Sequence, residues 1–131
     1  METKKIILIT EDDSSLRGAL HQKLVSEGFD VFEAKNGSEG LEIALREHPD
    51  LILIDILMPK MNGLDMLKKL CEDEWGKNVH FIILTNISGT EEISEAMKLA
   101  QVNKHESFEY FVKSNIKIEE VIEKIKQKLG V

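Results

Sequence analysis

The chain has 131 residues, one cysteine and a formal net charge of −7, with 42% hydrophobic and 31% charged residues. That length suits one domain with a real core, and the composition is that of an ordinary globular protein. The acidity argues against sequence-independent binding to nucleic acid or anionic membrane, both of which want a basic surface, and one cysteine excludes an intramolecular disulfide and fits a reducing compartment.

Apolar runs alternate with helical patterns five times along the sequence. Residues 5–10 read as a buried strand. Residues 14–27 read as a helix with Leu16, Ala19, Leu20 and Leu24 on one face, Asp13 as N-cap and Gly28 as stop. A weaker strand spans 30–34. A helix over 38–47 turns Leu41, Ala44 and Leu45 inward and ends at His48-Pro49-Asp50. Residues 51–55 form the most hydrophobic strand, which is expected to be central and covered on both faces. Residues 58–63 form a loop by their Pro59 and Gly63. A helix over 64–74 has Leu64, Leu67, Leu70 and Cys71 inward, and Cys71 is expected to be a buried small hydrophobe. Then come a strand over 79–85, a helix over about 90–100, a polar loop over 101–107 and a strand over 108–112. The last helix, 117–129, is amphipathic through Ile118, Val121, Ile122, Ile125 and Leu129. Strands separated by helices of this length imply parallel βαβ crossovers. The apolar run after Lys4 and Lys5 is too short for a signal peptide or a membrane span, so the expectation is cytoplasmic.

The carboxylates carry the chemistry. Glu11, Asp12 and Asp13 follow the first strand, and Asp55 closes the third. Strand ends are where an open α/β sheet binds its ligands. Two unit charges ~4 Å apart cost on the order of 4 kcal/mol at an effective dielectric near 20. Such a cluster needs a cation, and oxygen-only ligands suit Mg²⁺. Thr85 and Lys113 end two later runs. Taken singly, Thr85 is a β-former, Lys113 a solvated charge, Tyr110 half-buried packing and Asp13 a cap. Taken together, Glu11, Asp12, Asp55, Thr85 and Lys113 make a site for receiving a phosphoryl group. His21, His48, His80 and His105 have no partner at metal-ligand spacing. The methionines at 58, 61, 66 and 97 read as core or loop filler. The lysines of the last helix alternate with Glu119, Glu120 and Glu123, a solvated face rather than a nucleic-acid stripe.

This ordered set, with Met58-Pro59-Lys60-Met61-Asn62-Gly63 after Asp55 and Tyr110 before Lys113, resembles the receiver domain of two-component response regulators over essentially the whole chain. The resemblance implies a single receiver domain over 1–131. Its fold would be a flavodoxin-like (βα)₅ doubly wound α/β fold, a parallel five-stranded sheet in order 2-1-3-4-5. It implies a phosphoacceptor Asp55, charged by a sensor histidine kinase or a histidine phosphotransfer protein. Mg²⁺, with Mn²⁺ as an allowed substitute, would be held by Asp12, by Glu11 through water, by Asp55 and by the Leu57 carbonyl. Lys113 would pair with Asp55 and then with the phosphoryl group. Thr85 would bond a phosphoryl oxygen, and Tyr110 would fill the space it leaves. That would switch the surface of the fourth helix, fifth strand and fifth helix. Such a protein is not an enzyme on a separate substrate but a phosphoacceptor that assists its own phosphorylation and dephosphorylation. Its partners would be the kinase and an unidentified downstream protein or output domain, with no direct nucleic-acid or membrane contact. Phosphorylation-dependent homodimerisation through the last helix is compatible with it.

The sequence departs from the family pattern at Ser114, where proline is usual, at Asn86, where a small residue is usual, and in the length of the stretch from Thr85 to Lys113. Three readings compete with it: a phosphorylation-independent interaction module on the same fold, a haloacid dehalogenase-type phosphatase and a flavodoxin. The intact acidic set with Thr85 and Lys113 speaks against the first. Leu57, standing where a second acid is needed, speaks against the second. Three acids in place of a phosphate-binding loop speak against the third. Leu57 and Ile87, each two residues past a site residue, flank the path of hydrolytic water in this family. Apolar side chains cannot orient a water, so phospho-Asp55 is expected to be long-lived. Radiolabel that outlasts removal of the donor by minutes would support this, and loss within seconds would refute it.

Overall fold

Five short apolar segments form the strands: β1 (Ile6–Thr10), β2 (Asp30–Ala34), β3 (Leu51–Asp55), β4 (His80–Thr85) and β5 (Tyr110–Val112). The computed structural model describes residues 4–86, 91, 94–96, 98 and 109–131. All pairings are parallel, and the sheet order is β2-β1-β3-β4-β5, as expected. β3 lies between β1 and β4 and every one of its residues is buried. That explains why it is apolar throughout rather than alternating.

The period of two in each strand sorts the core into two layers. Ile7, Ile9, Leu51, Leu53, Ile82 and Leu84 face Leu20 and Leu24 of α1 (Ser14–Ser26) and Val121, Ile122 and Ile125 of the C-terminal helix (Ile118–Leu129). Leu8, Ile52, Ile54, Phe81 and Ile83 face Ala44 of α2 (Gly37–Glu47) and Leu64, Met66, Leu67 and Leu70 of α3 (Gly63–Cys71). Ala96 packs into this second layer. Glu91, Ser94, Glu95, Ala96 and Lys98 are helical. The rest of the helix expected over 90–100, the loop over 101–107, Phe108 and Ile87 lie outside the described residues.

Asp13 caps α1 by accepting the N–H groups of Ser15 and Leu16. Two further caps were not anticipated. Asn36 accepts from the Glu39 N–H at 2.8 Å and Asn62 from the Asp65 N–H at 2.9 Å, so α2 and α3 each begin one residue earlier than expected. At the far end of α3 the expectation of a helix to 74 is corrected. The Asp73 carboxylate accepts the N–H groups of Trp75 and Gly76, both at 2.9 Å, and turns the chain into a 3₁₀ segment, Gly76–Asn78. Cys71 is only half-buried against the core. Burial and then the neighbouring Glu72 push its thiol up. Leu45, expected inward, is 40% exposed. The buried face of α2 is instead Gly37, Gly40 and Ala44, with Leu41 and Ile43 packed beside them. The reason is close approach: a Cβ on Gly40 would lie 2.8 Å from the Thr10 Cγ2 and 3.0 Å from the Met66 sulfur. Beyond α2, His48 (φ 49°) stacks on Trp75 with ring centroids 4.4 Å apart.

Gly63 sets the distance between α3 and the end of β3. Its N–H donates to the Ile56 carbonyl at 2.9 Å, and a Cβ there would lie 2.2 Å from the Asp55 carbonyl oxygen and 2.6 Å from the Ile54 Cγ2. Gly63→Ala is therefore expected to destabilise the fold by about 1–3 kcal/mol or more through forced overpacking, read as a lower urea midpoint.

Candidate phosphoacceptor and metal site

The carboxyl ends of β1, β3 and β4 meet at one edge of the sheet, and the expected site residues converge there. Register brings this about: Thr10 lies beside Ile54, and Asp55 beside Leu84, so the residues that follow, Glu11 and Thr85, flank Asp55. Glu11, Asp55 and Thr85 are buried and Asp12 is exposed. One carboxylate oxygen each of Glu11, Asp12 and Asp55 lie within 4.8 Å of one another. Lys113, just past β5, donates to Glu11 Oε2 at 2.8 Å and to Asp55 Oδ2 at 3.0 Å, with its side chain 11% exposed. The lysine was expected to pair with Asp55, and it does so while also bonding Glu11. Asn86 is exposed at the site's rim.

Backbone groups hold the carboxylates in place. The Glu11 N–H donates to the Ala34 carbonyl of β2 at 3.0 Å, and the Asp13 N–H donates to Glu11 Oε2 at 3.0 Å. The Leu57 N–H donates to Asp55 Oδ1 at 3.3 Å, while the Leu57 side chain is 49% exposed. The loop after β3 is pinned by the first turn of α2. Gly37 N–H donates to the Met61 carbonyl at 2.9 Å and Ser38 N–H to the Lys60 carbonyl at 3.2 Å. Lys60 and Met61 sit at φ 49° and 78°, left-handed backbone that costs energy outside glycine. Tyr110, expected to be half-buried, is 40% exposed on the edge strand β5. Arg17 was passed over in the sequence. It donates through Nη1 to the Glu11 carbonyl at 2.8 Å. The signal available for it was a cation one turn into α1, where the helix dipole disfavours positive charge.

The charges explain one another. Burial, and then the neighbouring Glu11, push Asp55 from 3.8 up to about 8, with Lys113 offsetting only part. Asp12 is held below the ordinary range: partial burial works against its charge, but hydrogen bonding with Asp55 and Glu11 outweighs it. Burial likewise works against the charge on Lys113, yet its bonds to Glu11 and Asp55 hold it above its ordinary value. Glu11 Oε1 is buried without a hydrogen-bond partner. An orphaned carboxylate oxygen among three acids, all oxygen donors, fits a hard divalent cation such as Mg²⁺.

The sequence model of the response regulator receiver domain matches residues 7–126. The chain belongs to this family. Among curated relatives of this receiver domain, sporulation initiation phosphotransferase F of Bacillus subtilis is 34% identical over 93 residues, covering 71% of this chain and 73% of the relative. The probable transcriptional regulator ycf27 of Porphyridium aerugineum is 38% identical over 85 residues, covering 65% of this chain but only 34% of the relative. The receiver domain thus spans about a third of such longer regulators. Among solved structures, a CheY-like receiver domain protein from Methanospirillum hungatei superposes with a TM-score of 0.80 at 26% identity, covering 98% and 95% of the two chains. Chemotaxis protein CheY4 of Vibrio cholerae superposes at 0.82 and 22% identity, covering 95% and 98%, which supports the fold alone. Receivers of this family bind Mg²⁺ at an acidic site and work with histidine kinases and output domains.

The raised Asp55 value has a measurable consequence. Without a cation the folded state holds the Asp55 proton to higher pH than the unfolded chain does. The stability from this group is whole below about 3.8 and is lost as pH rises toward about 8. Metal-free Asp55→Asn should therefore melt about 3 °C or more above the parent at pH 8, and the gap should close as pH falls toward 4.

Proposed function

We propose that this receiver accepts a phosphoryl group on Asp55 from a phosphohistidine of a sensor kinase or phosphotransfer protein. The observation that carries this reading is the Lys113 ammonium bridging Asp55 and Glu11 at the carboxyl end of the central strand. A solvated lysine would not be drawn between two buried carboxylates. The Asp55 carboxylate attacks phosphorus in line with the departing imidazole. The P–N bond breaks as the O–P bond forms, and the imidazole nitrogen leaves with the electron pair and takes a proton.

Lys113 holds the Asp55 carboxylate in place before transfer and then follows the charge to a phosphoryl oxygen. Glu11, Asp12, Asp55 and the Leu57 carbonyl would hold Mg²⁺, which when bound neutralises charge on the nucleophile and the transferring oxygens. The Thr85 hydroxyl, at the buried end of β4, would bond a second phosphoryl oxygen. Drawing Thr85 toward the phosphoryl group gives the exposed Tyr110 ring a reason to turn inward. Movement of these two residues would alter the surface around β5 and the C-terminal helix, the face offered to a partner, an output domain or a second copy. The protein acts on itself rather than on a separate substrate. The Bacillus relative carries phosphotransferase in its name, in keeping with a place in a phosphoryl relay. Apolar Leu57 at the mouth of the site supports slow loss of the phosphoryl group. Among the described residues no helix is long and apolar enough to cross a membrane, and a cytoplasmic place of work is part of this proposal.

Intact mass after incubation with acetyl phosphate and Mg²⁺ tests the reading. One phosphoryl group should appear on the parent, none on Asp55→Asn and none without the metal. Lys113→Ala should slow labelling by about 10²-fold, the usual effect of removing one group that stabilises transferring charge. A parent that stays unlabelled both by acetyl phosphate and by phosphorylated kinases would sink it.

A further inference from the structure

Arg17 is in an unexpected place for a cation. It lies one turn into α1, where the dipole opposes positive charge, and its side chain is only 13% exposed. Three hydrogen bonds hold the guanidinium there. Nε donates to Glu33 Oε1 on β2 at 2.8 Å. Nη1 donates to the Glu11 carbonyl at 2.8 Å and to the Asp12 carbonyl at 3.4 Å. The second Glu33 oxygen lies 2.7 Å from His21 Nδ1, one turn further along α1. The fork thus spans from the edge strand to the two consecutive peptide units whose side chains enter the acidic cluster.

We propose that Arg17 is a positioning residue for Mg²⁺ binding, anchored by Glu33 and acting through the Glu11 and Asp12 carbonyls. Two mutually repelling carboxylates on adjacent residues tend to swing apart. Fixing both peptide planes limits that swing, and the fixed positive charge behind the loop relieves part of the repulsion. Only a planar fork can reach a carboxylate through Nε and two carbonyls through Nη1 at once; an ammonium is a single point. The competing account is an ordinary half-buried ion pair that fastens α1 to β2 and leaves the site alone. The inference rests on the reading of the acidic cluster as a Mg²⁺ site.

Calorimetric titration of the whole chain with Mg²⁺ alone separates the two accounts, with urea unfolding measured beside it. Arg17→Lys keeps the charge and loses the fork, so a change in affinity cannot come from net charge. It is expected to raise the Mg²⁺ Kd about tenfold, as loss of an outer-shell contact does. Glu33→Ala, which leaves Arg17 in place but unanchored, should move the Kd in the same direction by a smaller factor. Arg46→Lys, changing an exposed arginine paired with its neighbour Glu47 on α2, should leave the Kd where it was. If Arg17→Lys does not fold, Glu33→Ala decides. Folded variants with lower stability and an unchanged Kd would overturn the inference and leave the Mg²⁺ reading standing. A parent that binds no Mg²⁺ would overturn both.

Discussion

Everything at the functional edge of this protein follows from one electrostatic constraint. Glu11, Asp12 and Asp55 offer oxygens within 4.8 Å of one another at the rim of an apolar sheet. Like charges so close, two of them buried, repel strongly. The fold answers with one ammonium, Lys113, and with a proton held on Asp55 well above the ordinary carboxylate range. Neither answer is complete, because one Glu11 oxygen still has no partner. A site left with surplus negative charge and an unfilled oxygen fits a divalent cation.

The scaffold supplies what the charges alone cannot, which is fixed position. Neighbouring parallel strands in register deliver Glu11, Asp55 and Thr85 to one edge. The loop beyond Asp55 carries two left-handed non-glycine residues, and its carbonyls are tied to the first N–H groups of α2. Those N–H groups are the ones a helix leaves without intrahelical partners, so the same bonds satisfy α2 and restrain the loop. Gly63 and Gly37 permit backbone-to-backbone contact on either side of that loop. The Asp55 carboxylate is thereby framed by main chain on both flanks.

Much of this was legible in the residues. The strands, their order, the Asp13 cap and the convergence of Glu11, Asp55, Thr85 and Lys113 all followed from period, strand ends and family resemblance. What escaped was set by tertiary contact. The face of α2 turned away from Leu45 because Gly40 meets Thr10 and Met66, a contact between elements distant in sequence. α3 stopped early because the Asp73 side chain captured two N–H groups, and a turn residue inside an amphipathic pattern reads as helix until its bonds are seen. The Asn36 and Asn62 caps were readable from residue type and were missed beside the stronger acidic signal. Arg17 showed in the sequence only as a cation one turn into α1, because its partners are backbone carbonyls and a strand residue sixteen positions away.

The stacking of His48 on Trp75 has a consequence for anyone who follows this protein spectroscopically. Trp75 is the sole tryptophan, and it stands between α3 and the start of β4, at the opposite end of the sheet from Asp55. Its ring lies nearly parallel to the His48 imidazole, so its emission depends on whether that contact is made. The intrinsic fluorophore is therefore a gauge of contact at the floor of the molecule. A reporter for the Asp55 end of the sheet belongs instead near Asn86 or Leu57, both of which are exposed.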